Sequence, residues 1–165
     1  MKELKADICI IGGGAAGLSI AAGAAQMGAN TVLFEAGKMG GDCLNYGCIP
    51  SKALIANAKT AFHASDGCRK GVLSSTRPTV NFEKIRQDIS NVIDIIAPHD
   101  SKERFEQLGV GVFQESARFT GRRQISSDNV RVNFRYAVIA TGTEPDIPDI
   151  QGISDIPYFT NETIF

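Results

Sequence analysis

Two cysteines separated by four residues are the groups in this sequence best suited to chemistry. Cys43 and Cys48 lie in the stretch GGDCLNYGCIPSKAL, which begins at Gly40. Cysteines this close can form a small-loop disulfide, supply half of a metal site, or act as a redox couple. Composition and the other motifs of the chain distinguish between these three kinds of site.

Composition favours a globular domain in a reducing compartment. The chain has 165 residues, of which 43% are hydrophobic and 21% charged, and its formal net charge is -1. These values give no electrostatic reason to expect nucleic acid or a membrane surface as a partner. The N-terminus lacks the apolar core of a signal peptide, and no apolar run approaches the roughly 20 residues of a spanning helix. We therefore expect a cytoplasmic protein.

The cytoplasm makes redox chemistry the favoured use of the cysteine pair. Purely structural disulfides are uncommon there. A zinc site would need further ligands, but the other cysteines and histidines show no finger-like spacing, so no metal site is predicted. These other residues are Cys9, Cys68, His63 and His99. A helix beginning near Pro50 would place its positive end beside Cys48 and stabilise a thiolate there.

A glycine-rich turn upstream predicts a nucleotide site. Gly12, Gly14 and Gly17 form G-x-G-x-x-G between a strand and a helix. The first glycine permits the tight turn, the second lets the backbone approach a pyrophosphate, and the third allows close packing of the helix. Glu35 ends the next strand, where its carboxylate can accept hydrogen bonds from an adenosine ribose. The pattern predicts binding of the ADP part of a dinucleotide, without distinguishing FAD from NAD.

The order of the predicted elements indicates an α/β fold. We expect a parallel Rossmann-type sheet flanked by helices, with a small antiparallel sheet from residues 112–133. The strands are predicted at residues 5–11, 30–36 and 136–142, and the helices at 18–27, 49–62 and from Asn81, its N-cap, to Pro98. Residues 63–79 read as a loop, and Asp100 with Glu103 as a capping box for a further helix towards Gly109. Residues 146–165 read as an extended connector.

Taken together, these motifs resemble the N-terminal part of the pyridine nucleotide–disulfide oxidoreductases. GGDCLNYGCIPSKAL resembles the redox-disulfide signature of that family, DICIIGGGAAGLSIA its FAD fingerprint, and AVIATGTEP its short motif beside the flavin. The resemblance covers essentially the whole chain. It implies that residues 1–145 are the first part of an FAD-binding domain, and that residues 146–165 lead towards an NAD(P)H-binding domain not contained in this sequence.

The resemblance also implies roles for individual residues. Electrons would pass from NAD(P)H to FAD, then to a Cys43–Cys48 disulfide, and then to a small-molecule substrate. Cys48 would hold the thiolate against the flavin, and Cys43 would exchange with substrate. The remaining cofactor-binding residues implied are Gly12, Gly14, Gly17, Glu35, Gly41, Asp42, Lys52, Ala117, Thr141 and Gly142. A homodimer is implied for the full-length enzyme.

The sequence departs from the family pattern in ways that keep alternatives open. Asp42 and Tyr46 stand where better-known members have threonine and valine, and a carboxylate beside a pyrophosphate is unfavourable unless it points away. No second nucleotide motif follows, so the sequence looks truncated and an isolated fragment is expected to be inactive. The alternatives are a stand-alone nucleotide-binding redox sensor and an ordinary NAD-binding domain with incidental cysteines.

Overall fold

One mixed sheet of six strands organises the part of the chain that the structure describes, residues 1–74 and 78–165 of a computed structural model. The strands are β1 (Lys2–Ile11), β2 (Thr31–Phe34), β3 (Gly111–Phe113), β4 (Arg118–Gly121), β5 (Gln124–Ser126) and β6 (Val130–Ile139). Their order is β3-β2-β1-β6-β5-β4. The first four in this order are parallel, and β4 and β5 are antiparallel to their neighbours. The predicted α/β fold is therefore confirmed.

Five α-helices accompany the sheet within those described residues. They are α1 (Ala15–Gln26), α2 (Gly41–Asn45), α3 (Cys48–Arg69), α4 (Phe82–Ile96) and α5 (Lys102–Gln107). Helix α1 connects the parallel strands β1 and β2, which is the βαβ unit that the sequence predicts. No helix in the described ranges is both long and apolar enough to cross a membrane.

Helix α1 packs closely on the sheet because the residues that face it are small. Leu18 and Ala21 are buried against Ile10 of β1 and Leu33 of β2. All four residues of β2 are buried, as expected for a central parallel strand covered on both faces. Burying side chains such as Ile10 and Leu33 contributes about 1.5–3 kcal/mol each, so this layer holds the glycine-rich turn in place.

The antiparallel strands continue the parallel sheet instead of forming a separate one. Strand β6 is ten residues long and pairs with β1 along nearly its whole length. Its first part, residues 131–133, also pairs with β5 on the opposite edge. Strand β3, predicted within the antiparallel region, pairs in parallel with β2. The predicted antiparallel segment is thus present as one end of the same sheet.

Several predicted boundaries were wrong. The strand predicted at residues 136–142 is Val130–Ile139, and the helix predicted from residue 18 begins at Ala15. Helix α3 continues to Arg69, so residues 63–69 are helical and not a loop. Asp66 forms ion pairs with Arg69 and Lys70 in the last turn of the helix. The helix ends before Gly71, which has a φ of 73°. The predicted loop at residues 75–77 lies outside the described residues. Ser101, not Asp100, caps α5, because Asp100 belongs to a preceding 3₁₀ turn.

Helix α4 begins where the sequence predicts. The Asn81 side chain accepts a hydrogen bond from the Lys84 backbone N–H, which satisfies one unpaired donor of the first turn. Helix α4 packs against α3, and Ile89 is its one buried residue. Both helices also contact α2, and α3 carries Cys48 at its first residue.

Candidate functional site

A cavity of about 600 Å³ opens at the carboxyl ends of β1, β2 and β6. In parallel α/β sheets this edge is where ligands bind, because loops from neighbouring strands converge there. The lining residues are Gly12, Gly14, Ala15, Ala16, Glu35, Gly37, Lys38, Gly41, Asp42, Cys43, Asn45, Tyr46, Ala140, Thr141, Gly142, Thr143 and Glu162. Sequence positions that are far apart thus surround one space.

The glycine-rich turn is packed so tightly that two of its positions exclude a side chain. Gly12 has a φ of 111°, and a Cβ atom there would lie 2.0 Å from the carbonyl oxygen of Ala140. A Cβ at Gly17 would lie 1.8 Å from the carbonyl oxygen of Gly12. These contacts join the turn to the end of β6 and to the first turn of α1. Gly17 acts through this packing and lies below the cavity, not in its lining.

The cysteine segment packs directly on this turn. A Cβ at Gly41 would lie 2.6 Å from the Cα of Gly14, and Gly14 also forms an isolated bridge with Gly40. The Gly40 N–H donates to the Gly13 carbonyl oxygen at 2.9 Å. Gly14 and Gly41 therefore allow two backbones to touch, and the contact sets α2 and Cys43 at the mouth of the nucleotide turn.

Glu35 is held in a fixed orientation by backbone donors. Its Oε2 accepts from the Gly13 N–H at 2.5 Å, and its Oε1 accepts from the Gly37 N–H at 2.6 Å. The carboxylate lies half-buried at the end of β2 and lines the cavity. Carboxylate oxygens have further lone pairs, so Glu35 can still accept from the hydroxyls of a ribose.

The two redox-candidate cysteines are thiols in contact. Cys43 lies in α2 and is half-buried, whereas Cys48 begins α3 and is exposed. The hydrogen bond from the Cys43 thiol to the Cys48 side chain, together with burial and the nearby Cys48 charge, raises the Cys43 pKa above its ordinary value of 9.0. The Cys48 backbone N–H and Lys52 act in the opposite direction. Both residues are therefore thiols, and Cys43 is the hydrogen-bond donor of the pair.

Asp42 turns its carboxylate towards the protein. Its Oδ1 accepts from the Asn161 side-chain amide at 2.9 Å. Its Oδ2 lies over Gly47, where a Cβ atom would come within 2.6 Å of it. A carboxylate beside a pyrophosphate would be repelled by its negative charge. The orientation of Asp42 reduces this repulsion, although Asp42 still lines the cavity.

The cavity brings together eight of the twelve predicted site residues. They are Gly12, Gly14, Glu35, Gly41, Asp42, Cys43, Thr141 and Gly142. Gly17 supports the turn from below, and Cys48 contacts Cys43 from outside the lining. Lys52 is exposed one turn into α3, and its charge acts on Cys43. Ala117 packs on the hydrophobic core between β3 and β4 and does not line the cavity.

Several lining residues were not predicted as site residues from the sequence. Lys38 and Tyr46 line the cavity together, with the Lys38 Nζ atom 5.4 Å from the centre of the Tyr46 ring. Glu162 joins them from the far end of the chain. Lys38 could have been suspected from its place just before the cysteine segment. Glu162 could not, because its position depends on how residues 140–165 cross the sheet edge.

The residues present fit the adenosine diphosphate part of a dinucleotide such as FAD. Gly14 caps α1 without a side-chain hydrogen bond, and the first turn of α1 contains no acidic residue. The unpaired N–H groups of that turn are therefore available to a pyrophosphate. Among the described residues, no group of three or more His, Cys, Asp or Glu side chains could hold a metal ion.

The fold and this cavity define a class: a Rossmann-type nucleotide-binding domain that carries a redox cysteine pair. The profile of the pyridine nucleotide-disulphide oxidoreductases matches residues 6–164. The chain belongs to this family of FAD-dependent and NAD(P)H-dependent enzymes, as the motifs in the sequence imply.

Individual relatives agree with this assignment. The mercuric reductase of Shigella flexneri is 32% identical over 160 residues, which are 93% of this chain and 28% of that protein. The dihydrolipoyl dehydrogenase of Buchnera aphidicola subsp. Acyrthosiphon pisum (strain APS) is 34% identical over 155 residues, 90% of this chain and 32% of that protein. This chain therefore spans about a third or less of the length of these relatives.

A solved structure shares the fold. The flavoprotein disulfide reductase RclA from Escherichia coli, determined as a Cu(II) complex, superposes with a TM-score of 0.71. The match covers 91% of this chain and 31% of that chain at 24% sequence identity. This likeness concerns the arrangement of strands and helices.

Proposed function

We propose that this chain supplies the FAD-binding and redox-cysteine part of a flavin-dependent disulfide oxidoreductase. The observation that carries the proposal is that Cys43 lines the same cavity as the glycine-rich turn while it hydrogen-bonds to Cys48. A nucleotide bound at this turn would therefore lie within reach of the dithiol. Membership of the family supports the same conclusion.

FAD, when bound, would take two electrons from NAD(P)H and pass them on to the disulfide. This chain would supply the two cysteines that are oxidised and reduced. Oxidation of the pair to a disulfide releases two electrons and two protons, and reduction takes them up again. Because the Cys43 thiol donates a hydrogen bond to Cys48, which raises the Cys43 pKa, the two sulfurs have unlike environments, as suits thiol–disulfide exchange.

Each remaining residue of the site has a positioning task in this proposal. Glu35 would orient the adenosine ribose, and the first turn of α1 would face the pyrophosphate. Thr141 and Gly142, at the end of β6, would line the path towards the cysteine segment. Lys52 would favour negative charge near Cys43, because its ammonium group already lowers the pKa of that thiol.

The substrate of the whole enzyme is proposed only as a class. A disulfide, a dithiol or a thiol-bound metal ion could exchange with Cys43, and the relatives include enzymes named mercuric reductase and dihydrolipoyl dehydrogenase. The nicotinamide-binding part and a homodimer are proposed for the whole enzyme on the same family grounds.

The proposal is tested by titrating free thiols before and after mild reduction, with Cys43→Ser and Cys48→Ser as variants. We expect two additional thiols on reduction of the unaltered chain and none in either variant. Absorbance after incubation with FAD separates a flavin protein from an NAD-binding domain, since bound oxidised flavin is yellow. Cysteines that stay reduced under air, in a chain that still binds nucleotide, would contradict the redox role.

A stable disulfide without flavin binding would instead support the redox-sensing module that the sequence leaves open. In that case the cysteines would act as a switch without turnover of NAD(P)H. The same two measurements therefore distinguish the two functions.

A further inference from the structure

Residues 160–165 form a compact turn of their own. The Thr160 N–H donates to the Thr163 hydroxyl at 2.9 Å, and the N–H groups of Thr163 and Ile164 donate to the Thr160 carbonyl oxygen at 3.2 Å. This turn presents Asn161 and Glu162 at its tip. We call residues 160–165 the terminal turn.

The terminal turn contacts the redox segment on both sides of α2. On one side Asn161 donates to Asp42, and Glu162 lines the same cavity as Cys43. On the other side Phe165 lines a second cavity of about 420 Å³, together with Tyr46 and residues of α4. The two contacts are separate observations, and they place one segment across the helix that carries Cys43.

Asp42 is the link between this turn and the cysteine pair. It precedes Cys43 in α2, and its backbone carbonyl oxygen accepts from the N–H groups of Tyr46 and Gly47 at 2.8 and 2.6 Å. Its side chain therefore joins the terminal turn to the same peptide segment that connects the two cysteines. Any shift of Asp42 would be transmitted to Cys43 through the backbone.

From this geometry we infer that Asp42 is a positioning residue, and that its bond to Asn161 latches the terminal turn over the approach to Cys43. With the latch closed, Glu162 forms part of the cavity wall and reagents reach Cys43 through a narrower opening. With the latch open, that wall is withdrawn. The inference rests on the proposed function only where Cys43 is named as the exchanging thiol.

A swap of the hydrogen-bonding partners tests the latch. Asn161→Asp removes the donor and places two carboxylates together, so the latch should open. The double variant Asp42→Asn with Asn161→Asp restores a donor and an acceptor in reversed positions and has the same net charge as the unaltered chain. Asp149→Asn changes an exposed residue of the same connector and serves as the control.

Two readouts follow the latch without requiring flavin or a disulfide. The first is the alkylation rate of reduced Cys43 by neutral iodoacetamide at one fixed pH, followed peptide by peptide. The second is hydrogen exchange of the peptide that contains residues 160–165. We expect Asn161→Asp to increase both rates about fivefold, which is the effect of losing one exposed hydrogen bond of ordinary net strength. The double variant should return both rates to the original values.

The direction of the change in alkylation rate distinguishes better reagent access to Cys43 from the effect of the added charge. An added carboxylate near Cys43 disfavours its thiolate and would by itself slow alkylation. Faster alkylation of Asn161→Asp therefore reports an opened wall. Unchanged rates in Asn161→Asp, or fast rates that persist in the double variant, would overturn the latch. Failure of the proposed function would appear elsewhere, as cysteines that form no disulfide or a chain that binds no flavin.

Discussion

At the level of single residues, the proposed chemistry of this site depends on the groups that set the pKa of Cys43. Cys43 is half-buried and donates to Cys48, while Lys52 contributes a positive charge from one turn into α3. The Cys48 side chain raises the Cys43 pKa, whereas the Cys48 backbone N–H and Lys52 lower it. Substituting one neighbour at a time should therefore shift the Cys43 pKa in opposite directions.

The alkylation of Cys43 should reach its half-maximal rate above pH 9.0, the ordinary pKa of a cysteine thiol. Only the thiolate reacts, so a raised pKa moves the rate profile to higher pH. Cys48→Ser should move the midpoint down, because the sulfur that raises the Cys43 pKa is gone. Lys52→Ala should move it up, because its charge lowers that pKa. Rates measured across pH by mass spectrometry would contradict this assignment if both variants shifted in the same direction.

A second residue-scale prediction concerns the charge of Asp42. Asp42→Asn keeps an acceptor for Asn161 but removes a negative charge from a cavity that also contains Glu35 and Glu162. Two charges 4 Å apart in water interact by about 1 kcal/mol, so FAD should bind about fivefold more tightly. Flavin fluorescence titration at low and high salt is the measurement. The gain should shrink at high salt, and a salt-independent gain would contradict an electrostatic cause.

At the scale of elements, the site exists because three backbones meet without side chains between them. The turn before α1, the end of β6 and the start of α2 approach one another at Gly12, Gly14 and Gly41. The hydrophobic layer formed by α1, β1 and β2 fixes the first of these backbones. The cysteine segment then takes its place by packing on that turn.

Gly12→Ala should therefore unfold or rearrange this junction. The residue has a φ of 111°, and its Cβ would collide with the Ala140 carbonyl oxygen, so we expect a loss of about 3 kcal/mol. Gly23→Ala in α1 is the matched control, because nothing lies within 4 Å of its Cβ. In a helix that change should stabilise by about 0.5–1 kcal/mol. Urea denaturation of both variants measures the difference, and equal effects would refute the packing argument.

At the scale of the whole molecule, β6 leaves part of one edge open. Strand β5 pairs with residues 131–133, and the Phe134 N–H donates to the Arg123 carbonyl oxygen. Beyond that point, no strand among the described residues pairs with β6 on this side. Tyr136 is 65% exposed and Ile139 is 69% exposed on the same stretch. Open strand edges with apolar side chains favour association with another strand or surface.

The chain on its own should therefore self-associate at micromolar concentrations. Ile139→Lys adds a charge to the open edge and should shift the population towards monomer. Phe62→Lys, on the exposed surface of α3 at 66% exposure, is the matched control for a change in net charge. Light scattering coupled to size exclusion measures the mass. A chain that is monomeric without either substitution would contradict the role of this edge.

The part of the fold set by local pattern was predictable from the sequence. The βαβ unit follows from buried strands, a small-residue helix and glycines at the turn, since each depends on neighbouring residues alone. The Asn81 cap follows from the same local chemistry. The predicted end of α3 was wrong because Gly67 resembles a break, whereas the ion pairs of Asp66 and the turn at Gly71 place the end later.

Residue types and their spacing were enough to predict the candidate chemistry of this protein: a glycine-rich nucleotide turn, an acid at the end of the next strand and a pair of candidate redox cysteines. Their identities and spacings are properties of short segments. Three contacts become visible only in the folded chain: Gly14 and Gly41 touch, β6 joins both parts of one sheet, and Asn161 reaches Asp42. Asn161 and Asp42 are 119 positions apart, and residues of β6 and β1 such as Arg131 and Glu3 are 128 positions apart, so these pairings depend on packing of the whole chain.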